Sequence, residues 1–511
     1  MTWEYDLYID GKATPSDGDG RITVLDPATE EVIGSVPDAT VSDMRRAIVA
    51  ARRAFDEGPW PWLKPSERGR VIARMAEILT ERHPELHELI VAETGATVGG
   101  NNIGTADFIQ CAGAVNVAHW WGANAASALD WVESGLPTPG VTGLGGNILV
   151  REPAGVVGVI TPFNYPFQIN LFKATPALAA GCTIVLKPHP WTPLDAFEIA
   201  RAATDAGMPP GVLNVVPGGT EVGQELTDSP LVDVITFTGS TATGRRIMAN
   251  AAGTVKRVVL ELGGKSARVV LGDASEAYAA TIGFTDVLAH CGQACVVQSR
   301  LLLPQRLRDA YVDGVHKAYA EVRIGDPRDE TTTLGPLIRA AQRDRVEQLV
   351  QSGIAEGARV LVGGKRPADQ PRGYFYEPTV LMDARNDMRV AQEEVFGPVL
   401  TVIGYDGTDE EAVRLANDTI YGLAGGVVSS DTNRAFGVAR RIRTGMISVQ
   451  TEVNGTVLPA DGDSQGPGWG AYPGPIGSSG AFGGFKQSGI GREWGGHGMA
   501  EFTELKAISW S

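Results

Sequence analysis

Cysteine and positive charge are both scarce in this chain. Only four cysteines occur in 511 residues, at positions 111, 182, 291 and 295. These cysteines are too few and too unevenly spaced for a disulfide framework. The 60 acidic and 44 basic residues leave a formal net charge of -16. A chain with this charge repels nucleic acid and anionic membrane surfaces. We therefore expect a protein of the reducing cytoplasm that acts on a small molecule, with no nucleic-acid or membrane partner.

Long apolar segments are also missing. The first residues, Met-Thr-Trp-Glu-Tyr-Asp, have neither the basic start nor the apolar centre of a secretion signal, and no apolar run approaches the ~20 residues needed to cross a bilayer. The composition, 43% hydrophobic and 20% charged, is ordinary for a globular protein. Because the chain is several times longer than a typical domain, we expect two or three hydrophobic cores.

The sequence contains an alternation of helical and strand-like patterns. Apolar residues recur three and four positions apart over 41–55 and 67–94, which predicts two amphipathic helices, with Ser66 as the N-cap of the second. Continuous apolar runs separated by helical stretches predict a doubly wound parallel sheet, and a second series predicts another α/β domain. The first series is 156–160, 183–186, 213–216 and 234–237, and the second includes 268–271, 301–303 and 399–402.

Distinctive polar motifs follow three strands of the first series. Parallel sheets of this kind bind ligands at the carboxyl ends of their strands. With four motifs further along the chain, they make seven: Thr-Pro-Phe-Asn-Tyr-Pro (161–166), Lys-Pro-His-Pro (187–190), Phe-Thr-Gly-Ser-Thr (237–241), Glu-Leu-Gly-Gly-Lys-Ser (261–266), Gly-Gln-Ala-Cys (292–295), Glu-Glu-Val-Phe-Gly-Pro (393–398) and Phe-Gly-Gly-Phe-Lys-Gln-Ser-Gly (482–489). Together these motifs resemble the aldehyde dehydrogenase superfamily, in the family's order and over nearly the whole chain. Agreement of seven separate motifs is far more specific than any one of them.

The resemblance implies an α/β protein with a Rossmann-like doubly wound cofactor domain, a second α/β catalytic domain and a small β oligomerisation arm. It implies NAD(P)-dependent oxidation of an aldehyde to a carboxylic acid through a covalent thioester, in a homodimer or homotetramer. The expected division is 1–128 with 151–262 for NAD(P) binding, 263–449 for catalysis, 129–150 with 488–511 for the arm, and 450–487 as a Gly/Pro-rich loop near the substrate entrance.

Cys295 is the candidate nucleophile. A thiolate is the best side-chain nucleophile near neutral pH, and the small neighbours Gly292 and Ala294 leave room for a substrate. By itself a lone cysteine is more often an inert, buried residue, and the motif favours the catalytic role. The resemblance implies that Asn164 and the Cys295 N–H stabilise the oxyanion and that Glu261 activates the water that hydrolyses the thioester. Because relatives that transfer the acyl group to coenzyme A tend to lack this glutamate, hydrolysis is expected.

The resemblance also assigns a cofactor site. Lys187 corresponds to the family lysine that binds the adenosine ribose, and Glu394 to the acid that holds the nicotinamide ribose. Pro190 stands where many NAD-preferring relatives have a glutamate, which removes repulsion toward a 2′-phosphate but adds no donor, so NAD is expected only narrowly over NADP. The remaining expected cofactor contacts are Gly239 and Ser240 at a helix start suited to pyrophosphate, and Phe396, Phe163 and Ile160.

Tyr165, Phe172 and His290 are the candidate walls of a substrate tunnel. The segment 454–480 is longer than in typical relatives, and we expect its Trp469 and Tyr472 to reshape that tunnel, with a surface insertion as the alternative. His290 with Cys291 and Cys295 could suggest a metal site, but metal sites need three or four arranged ligands, so none is expected.

Three alternatives stay open at this level. A semialdehyde or aldehyde-phosphate dehydrogenase of the same family would need a cationic group in the tunnel wall. A cysteine hydrolase could use Cys295 with His290, and a binding protein could have kept the fold without turnover. Only the first two would be enzymes, and only the first would use a nicotinamide cofactor.

Overall fold

The computed structural model describes residues 2–99, 105–141, 143–453, 455–458 and 480–510. No helix in these ranges is both long and apolar enough to cross a membrane. A π-helix occupies Thr105–Gly113. The α-helices are α1 (Val41–Asp56), α2 (Pro65–Glu81), α3 (His83–Thr94), α4 (Ala114–Asn124), α5 (Pro166–Ala180), α6 (Leu194–Asp205), α7 (Thr220–Asp228), α8 (Thr241–Ala251), α9 (Glu276–Ile282), α10 (Arg308–Ala320), α11 (Ala340–Ala355), α12 (Arg389–Gln392), α13 (Asp409–Asn417), α14 (Thr432–Ala439) and α15 (Gly495–Ala500).

The strands form four sheets within the described ranges. They are β1 (Trp3–Glu4), β2 (Leu7–Ile9), β3 (Lys12–Thr14), β4 (Arg21–Leu25), β5 (Val32–Pro37), β6 (Val132–Ser134), β7 (Thr138–Gly140), β8 (Gly143–Pro153), β9 (Val156–Ile160), β10 (Thr183–Lys187), β11 (Leu213–Val215), β12 (Val234–Thr238), β13 (Arg257–Glu261), β14 (Ala267–Val270), β15 (Arg300–Pro304), β16 (Arg359–Val362), β17 (Thr379–Met382), β18 (Val399–Tyr405), β19 (Gly425–Ser429), β20 (Ser448–Val453), β21 (Thr456–Leu458), β22 (Gly489–Ile490) and β23 (Thr503–Trp510).

The first sheet confirms the predicted doubly wound arrangement. Its strand order is β22-β13-β12-β9-β10-β11-β2-β3, and the five strands from β13 to β11 are parallel. The chain runs outward from β9 through β10 and β11 on one side, and then through β12 and β13 on the other. The order therefore reverses between β9 and β12, which is the point where doubly wound sheets bind ligands at their carboxyl ends.

Burial on both faces explains why these strands are continuously apolar. Val157 and Val159 of β9 pack into a core cluster with helix α5, whereas Val156 and Ile160 belong to a second cluster that includes Met44 of α1. Alternate residues of a strand point to opposite faces, so a sheet covered on both sides has no position for an exposed polar side chain.

The second sheet has the order β16-β17-β18-β15-β14-β19-β20-β21, with parallel pairing from β17 to β20. This is the second α/β unit that the sequence predicts. Strand β20 continues to Val453, and β21 pairs with it antiparallel. The boundary expected at 449, with a loop from 450, therefore falls inside a strand.

A smaller sheet joins the C-terminal segment to the middle of the chain. Strand β23 pairs antiparallel with β8 along its whole length, and β6 and β7 also pair with β8. The arm predicted for 129–150 and 488–511 needs one correction, because Gly489 and Ile490 pair with Glu261 and Leu260 in the first sheet. Backbone hydrogen bonding to β13 therefore separates these two residues from the arm.

The helix predicted over 67–94 is wrong in two details. It is divided at Arg82 into α2 and α3, because Pro84 in the first turn of α3 has no N–H with which to continue the hydrogen-bond ladder. Helix α2 begins at Pro65 and not after Ser66, since proline is well suited to the first helical position. The carboxylate of Glu67 accepts the N–H of Lys64 and caps this end.

Candidate active site

A strained turn presents Cys295 between the two α/β units. His290 and Cys291 have φ values of 46° and 56°, and Gly292 continues the left-handed turn with a φ of 68°. Such conformations cost non-glycine residues about 1–3 kcal/mol each and persist only where packing holds them. A Cβ on Gly292 would lie 2.1 Å from the carbonyl oxygen of Gly397. The turn thus depends on glycine at this one position.

Gln293 anchors the turn, although the sequence analysis gave it no role. Its buried side chain donates to the carbonyl of His290 at 3.2 Å and accepts the N–H of Ile338 at 3.0 Å. Its own carbonyl accepts a hydrogen bond of 2.8 Å from the Nδ2 amide of Asn164. Through this bond the loop after β9 is tied to the segment that carries Cys295. An amide has two N–H donors, so a second one is left for an oxygen atom at the site.

The thiol of Cys295 and the carboxyl group of Glu261 lie close enough to shift each other's pKa. Burial, together with the negative charge of that group, raises the pKa of Cys295 well above its ordinary value. Burial also raises the pKa of Glu261 to about 8, against the lowering effect of the neighbouring Cys295 thiol. The Oε1 atom of Glu261 is buried and has no hydrogen-bond partner among the described residues. The pair therefore holds its protons tightly in the resting site.

An ion pair lies close enough to influence Glu261. The buried ammonium of Lys173, on α5, bonds to the carboxylate of Glu493 and donates to the hydroxyl of Thr236 at 3.0 Å. The charge of Glu493 raises the pKa of Glu261 and the charge of Lys173 lowers it. No local pattern signals this pair, because its members come from distant parts of the chain.

A cleft of about 560 Å³ opens at the carboxyl ends of β9, β10 and β12. It brings together five of the predicted cofactor residues, namely Ile160, Phe163, Lys187, Gly239 and Ser240. Only 7% of Lys187 is exposed, and burial lowers its pKa to about 8. Within the described part of the chain its ammonium has no ion-pair or hydrogen-bond partner. A buried cation without a partner is suited to receive hydroxyl or phosphate oxygens of a ligand.

Ser240 is the N-cap of α8, and its Oγ accepts the N–H of Thr243 at 3.3 Å. The first N–H groups of α8 therefore point toward the cleft, an arrangement that favours phosphate. The N–H of Gly239 donates to the carbonyl of Glu261 at 3.1 Å. One hydrogen bond thus connects the cofactor loop with the strand that ends in the candidate base.

Glu394 and Phe396 lie beside the cleft without lining it. The Oε1 of Glu394 accepts the N–H of Gly264 at 3.0 Å, and burial raises the pKa of this carboxyl to about 7. The ring of Phe396 meets that of Phe163 edge to face at 5.7 Å. This contact connects the predicted cofactor residues that line the cleft with those that lie beside it in the second α/β unit.

Apolar and aromatic side chains surround the thiol on its other side. Tyr165 and Phe172 are buried, and the ring of His290 lies 5.0 Å from that of Tyr165. Burial lowers the pKa of His290 to about 4, so the imidazole is neutral at pH 7. The apolar cluster that contains Tyr165 and Cys295 also includes Ile109, Ile169, Ala294, Val296, Val297, Leu423, Ala424, Met446, Phe482 and Trp494. Trp469 and Tyr472 lie outside the described residues.

The cofactor cleft at the ends of the first sheet and the turn that carries Cys295, between the two α/β units, together form the candidate site. An aldehyde dehydrogenase family model matches residues 14–463 of the chain. The chain belongs to the aldehyde dehydrogenase family. It is 38% identical to the betaine aldehyde dehydrogenase of Bacillus subtilis over 506 residues, which cover 98% of this chain and 96% of that protein. It is also 38% identical to the geranial dehydrogenase of Castellaniella defragrans over 504 residues, 98% of each chain.

Solved structures agree with this aldehyde dehydrogenase fold. The aldehyde dehydrogenase of Mycobacterium tuberculosis in complex with NAD+ superimposes with a TM-score of 0.89 at 40% identity, over 99% of this chain and 98% of that one. A mutant of aldehyde dehydrogenase C from Pseudomonas syringae, in complex with NAD+ and octanal, has a TM-score of 0.87 at 36% identity, with coverages of 99% and 96%. This chain is accordingly an NAD(P)-dependent enzyme that oxidises an aldehyde to a carboxylic acid.

Proposed function

We propose that Cys295 is the nucleophile of this aldehyde dehydrogenase, Glu261 its base and Asn164 its oxyanion donor. The observation that supports this most directly is that Glu261 lies close enough to Cys295 to raise the pKa of its thiol. Once its carboxyl group is ionised, Glu261 can accept the thiol proton as the sulfur attacks the aldehyde carbonyl. The sulfur–carbon bond forms, and the carbonyl oxygen becomes negatively charged.

The Asn164 amide and the N–H of Cys295 then stabilise that oxygen. Asn164 is held by its bond to the Gln293 carbonyl, so its amide is oriented before the substrate arrives. Fixed donors of this kind cost no reorganisation when charge develops, and one of them is typically worth 10²–10³ in rate. Collapse of the oxyanion makes the thioester on Cys295 as hydride leaves.

NAD(P), when bound, supplies the hydride acceptor. We infer that Lys187, Gly239 and Ser240, with Ile160 and Phe163, hold its adenosine and pyrophosphate portion. Glu394 and Phe396 hold the nicotinamide ribose. An unpartnered buried ammonium, a helix N-terminus and a cleft of about 560 Å³ fit a dinucleotide.

Glu261 activates the water that hydrolyses the thioester. It can do so once it has lost the thiol proton to solvent and is ionised. A pKa of about 8 makes this carboxylate a far stronger base than an exposed glutamate, and still able to ionise near neutral pH. This base favours release of the free acid.

The side chains around Cys295 favour an uncharged, apolar aldehyde as the substrate. Apart from acidic side chains such as Glu261, which would repel a further carboxylate, the residues around Cys295 are apolar or aromatic. His290 is neutral, and the nearby Lys173 is already paired with Glu493. Placing a carboxylate among them without a partner would cost several kcal/mol. Butanal should therefore have a kcat/KM at least about 100-fold above that of succinic semialdehyde, which has the same carbon chain. The reverse order would favour the semialdehyde alternative.

Growth of reduced nicotinamide absorbance with an aldehyde tests the catalytic assignment. Cys295→Ala should abolish turnover, whereas Cys291→Ala, a change of the same size in the same turn, should leave it within a few-fold of the wild type. Turnover that survives Cys295→Ala would exclude this cysteine as the nucleophile. Equal loss in both variants would indicate that the turn, and not the thiol, is needed.

We further infer a homodimer or homotetramer in the cytoplasm. Leu505, Ile508 and Trp510 of the edge strand β23 are exposed apolar residues, and pairing between subunits would cover such an edge. The four cysteines are all free thiols, which suits a reducing compartment. Sedimentation of the wild type and of Ile508→Glu tests the first inference, and a monomeric wild type would refute it. Recovery of the protein in a non-cytoplasmic cell fraction would refute the second.

A further inference from the structure

Lys265 is a buried cation that the proposed mechanism does not use. Only 1% of the residue is exposed, and its Nζ has no hydrogen-bond partner among the described residues. Burial, with the charge of Arg300, lowers its pKa to about 7. The hydroxyl of the next residue, Ser266, is also buried without a partner in that part of the chain. Unpartnered buried donors are rare in folded proteins, so two in successive residues indicate that a ligand or a water molecule binds there.

A cavity of about 10 Å³ is lined by both of these residues. This volume is enough for one water-sized particle. The lining comes from four segments of the second α/β unit, all within the described ranges, and its charged members are Lys265, Arg300 and Arg443. No aspartate or glutamate is among the lining residues. A concave site lined by charges of one sign attracts the opposite charge, so this cavity favours an anion.

Arg300 has one N–H group left for such an anion. Its guanidinium is buried, and a guanidinium carries five N–H donors. Four of them are used, by the carbonyl of Lys265 at 2.9 Å, Asn386 Oδ1 at 2.8 Å, the carbonyl of Leu415 at 3.1 Å and that of Ala416 at 3.0 Å. The cavity therefore has a third unused donor in addition to those of Lys265 and its neighbour.

Carbonyl groups of the lining are engaged with other donors. The Ala416 carbonyl accepts the Arg300 guanidinium, and the Thr419 carbonyl accepts the ammonium of Lys486 at 3.2 Å. The Gly422 carbonyl accepts two backbone N–H groups, at 3.0 Å and 2.8 Å. These three acceptors are thus already in use, which leaves the unused donors without them.

Two carboxylates act on Lys265 from outside the cavity. The charges of Glu394 and Glu393 raise its pKa, against the effect of burial. Glu394 accepts the N–H of Gly264 at 3.0 Å, and Glu393 pairs with Arg389 at 2.5 Å. Neither carboxylate lines the cavity, so each one satisfies a donor elsewhere and leaves the cavity positively charged.

We propose that this cavity binds a single chloride ion, which accepts hydrogen bonds from Lys265, Ser266 and Arg300 and holds together the segments that carry them. A monatomic anion suits the cavity in three ways: it only accepts hydrogen bonds, it occupies the space of one particle, and it supplies the missing negative charge. A water molecule of similar size would have to place two hydrogen atoms of its own among donors. The site is structural and separate from the cofactor cleft.

Urea unfolding of the full chain at increasing chloride concentration tests this without any turnover. Ionic strength is held constant with sodium gluconate, whose organic anion is too large for the cavity. For one site in the folded protein, each tenfold increase in chloride above its dissociation constant should raise the folded-to-unfolded ratio about tenfold. A ratio that does not change with chloride would overturn the inference.

Two variants and one control locate the effect. Lys265→Met removes the ammonium and should abolish the chloride dependence, whereas Ser266→Ala should need about tenfold more chloride for the same gain. Lys256→Met is the matched control, because Lys256 is also a buried lysine, but its ammonium donates to the Ser229 carbonyl and does not line the cavity. Its chloride dependence should equal that of the wild type. The same dependence in Lys265→Met would exclude this cavity as the site.

Bromide locates the ion directly and does not depend on the folding of any variant. Wild-type crystals soaked in sodium bromide should give an anomalous difference peak within hydrogen-bond distance of Lys265 Nζ and Ser266 Oγ. No peak there would overturn the inference, and a peak without any chloride dependence of stability would mark an adventitious ion only and overturn it as well. None of these measurements involves a cofactor or an aldehyde, so their failure would leave the proposed catalytic roles unaffected.

Discussion

Replacement of Glu261 by glutamine should slow the enzyme and stabilise its fold at the same time. Glutamine keeps the size of the side chain and removes its charge and basicity. The position is 3% exposed, and one carboxyl oxygen has no hydrogen-bond partner among the described residues. The ionised carboxylate that catalysis needs is therefore poorly solvated here, and its ionisation lowers the stability of the folded protein.

The effect on turnover follows from the role of a general base. Such a group typically contributes 10²–10⁴ in rate, so we expect steady-state oxidation by Glu261→Gln to fall by about that factor. In the wild type the ionised fraction of Glu261 increases as pH rises through about 8. Turnover should rise over the same range, and this rise should be absent from the variant.

The effect on stability has the opposite sign. The folded protein holds the proton of Glu261 up to about pH 8, whereas an unfolded glutamate releases it near its ordinary pKa of 4.5. The free energy of unfolding therefore falls as pH rises between these two values, by at most about 5 kcal/mol for this group. Glutamine does not titrate, so the variant should be the more stable protein at high pH, and by much less below about pH 5.

Urea unfolding at about pH 5 and about pH 9, together with initial rates, measures both effects. Glu88→Gln, which changes an exposed carboxylate on α3, is the control and should alter neither turnover nor the pH dependence of stability. A stability difference between wild type and Glu261→Gln that is the same at both pH values would refute the reasoning. So would turnover by the variant within tenfold of the wild type.

Three further outcomes are expected. Burial raises the pKa values of the neighbouring carboxyls Glu93 and Asp195. The free energy of unfolding of Asp195→Asn should therefore fall less than that of the wild type as pH rises, and an equal fall in urea unfolding would contradict this. Gly292→Ala should lose at least about 2 kcal/mol in the same assay, because its Cβ would meet the Gly397 carbonyl at 2.1 Å; an unchanged midpoint would argue against the strained turn. Lys187→Met should raise the KM for the cofactor about tenfold with a smaller change in kcat, and an unchanged KM in initial-rate measurements would exclude it from the cleft.

Much of the fold could be predicted because its signals are local. The runs 156–160 and 183–186 are apolar except at Thr183, as expected of strands covered on both faces, and they coincide with β9 and β10 apart from one residue. The failures have local causes too. The break at Arg82 depends on a proline inside an otherwise periodic segment, and β22 is too short for any periodicity to reveal.

The candidate site was only partly accessible from the sequence. Motifs located Cys295 and Glu261, but nothing local indicated that the two groups lie close enough to shift each other's pKa. Gln293 lies inside one of the motifs, but the motif indicates no role for it. Its anchoring function is visible only from its hydrogen bonds with Asn164 and with the His290 carbonyl. Contacts between distant segments leave no pattern in either segment, so sequence reasoning has no signal for them.

The sequence by itself determined the strand order along the chain, the family and the residues at the ends of the strands. Each of these depends on apolar runs and motifs a few residues long. Tertiary structure alone decided the electrostatics: that Glu261 holds a proton up to about pH 8, that His290 is neutral, and that the cleft around Lys187 and Arg246 has no acid in its described lining. The physical reason is that a pKa and a local field depend on burial and on neighbours that only folding brings together.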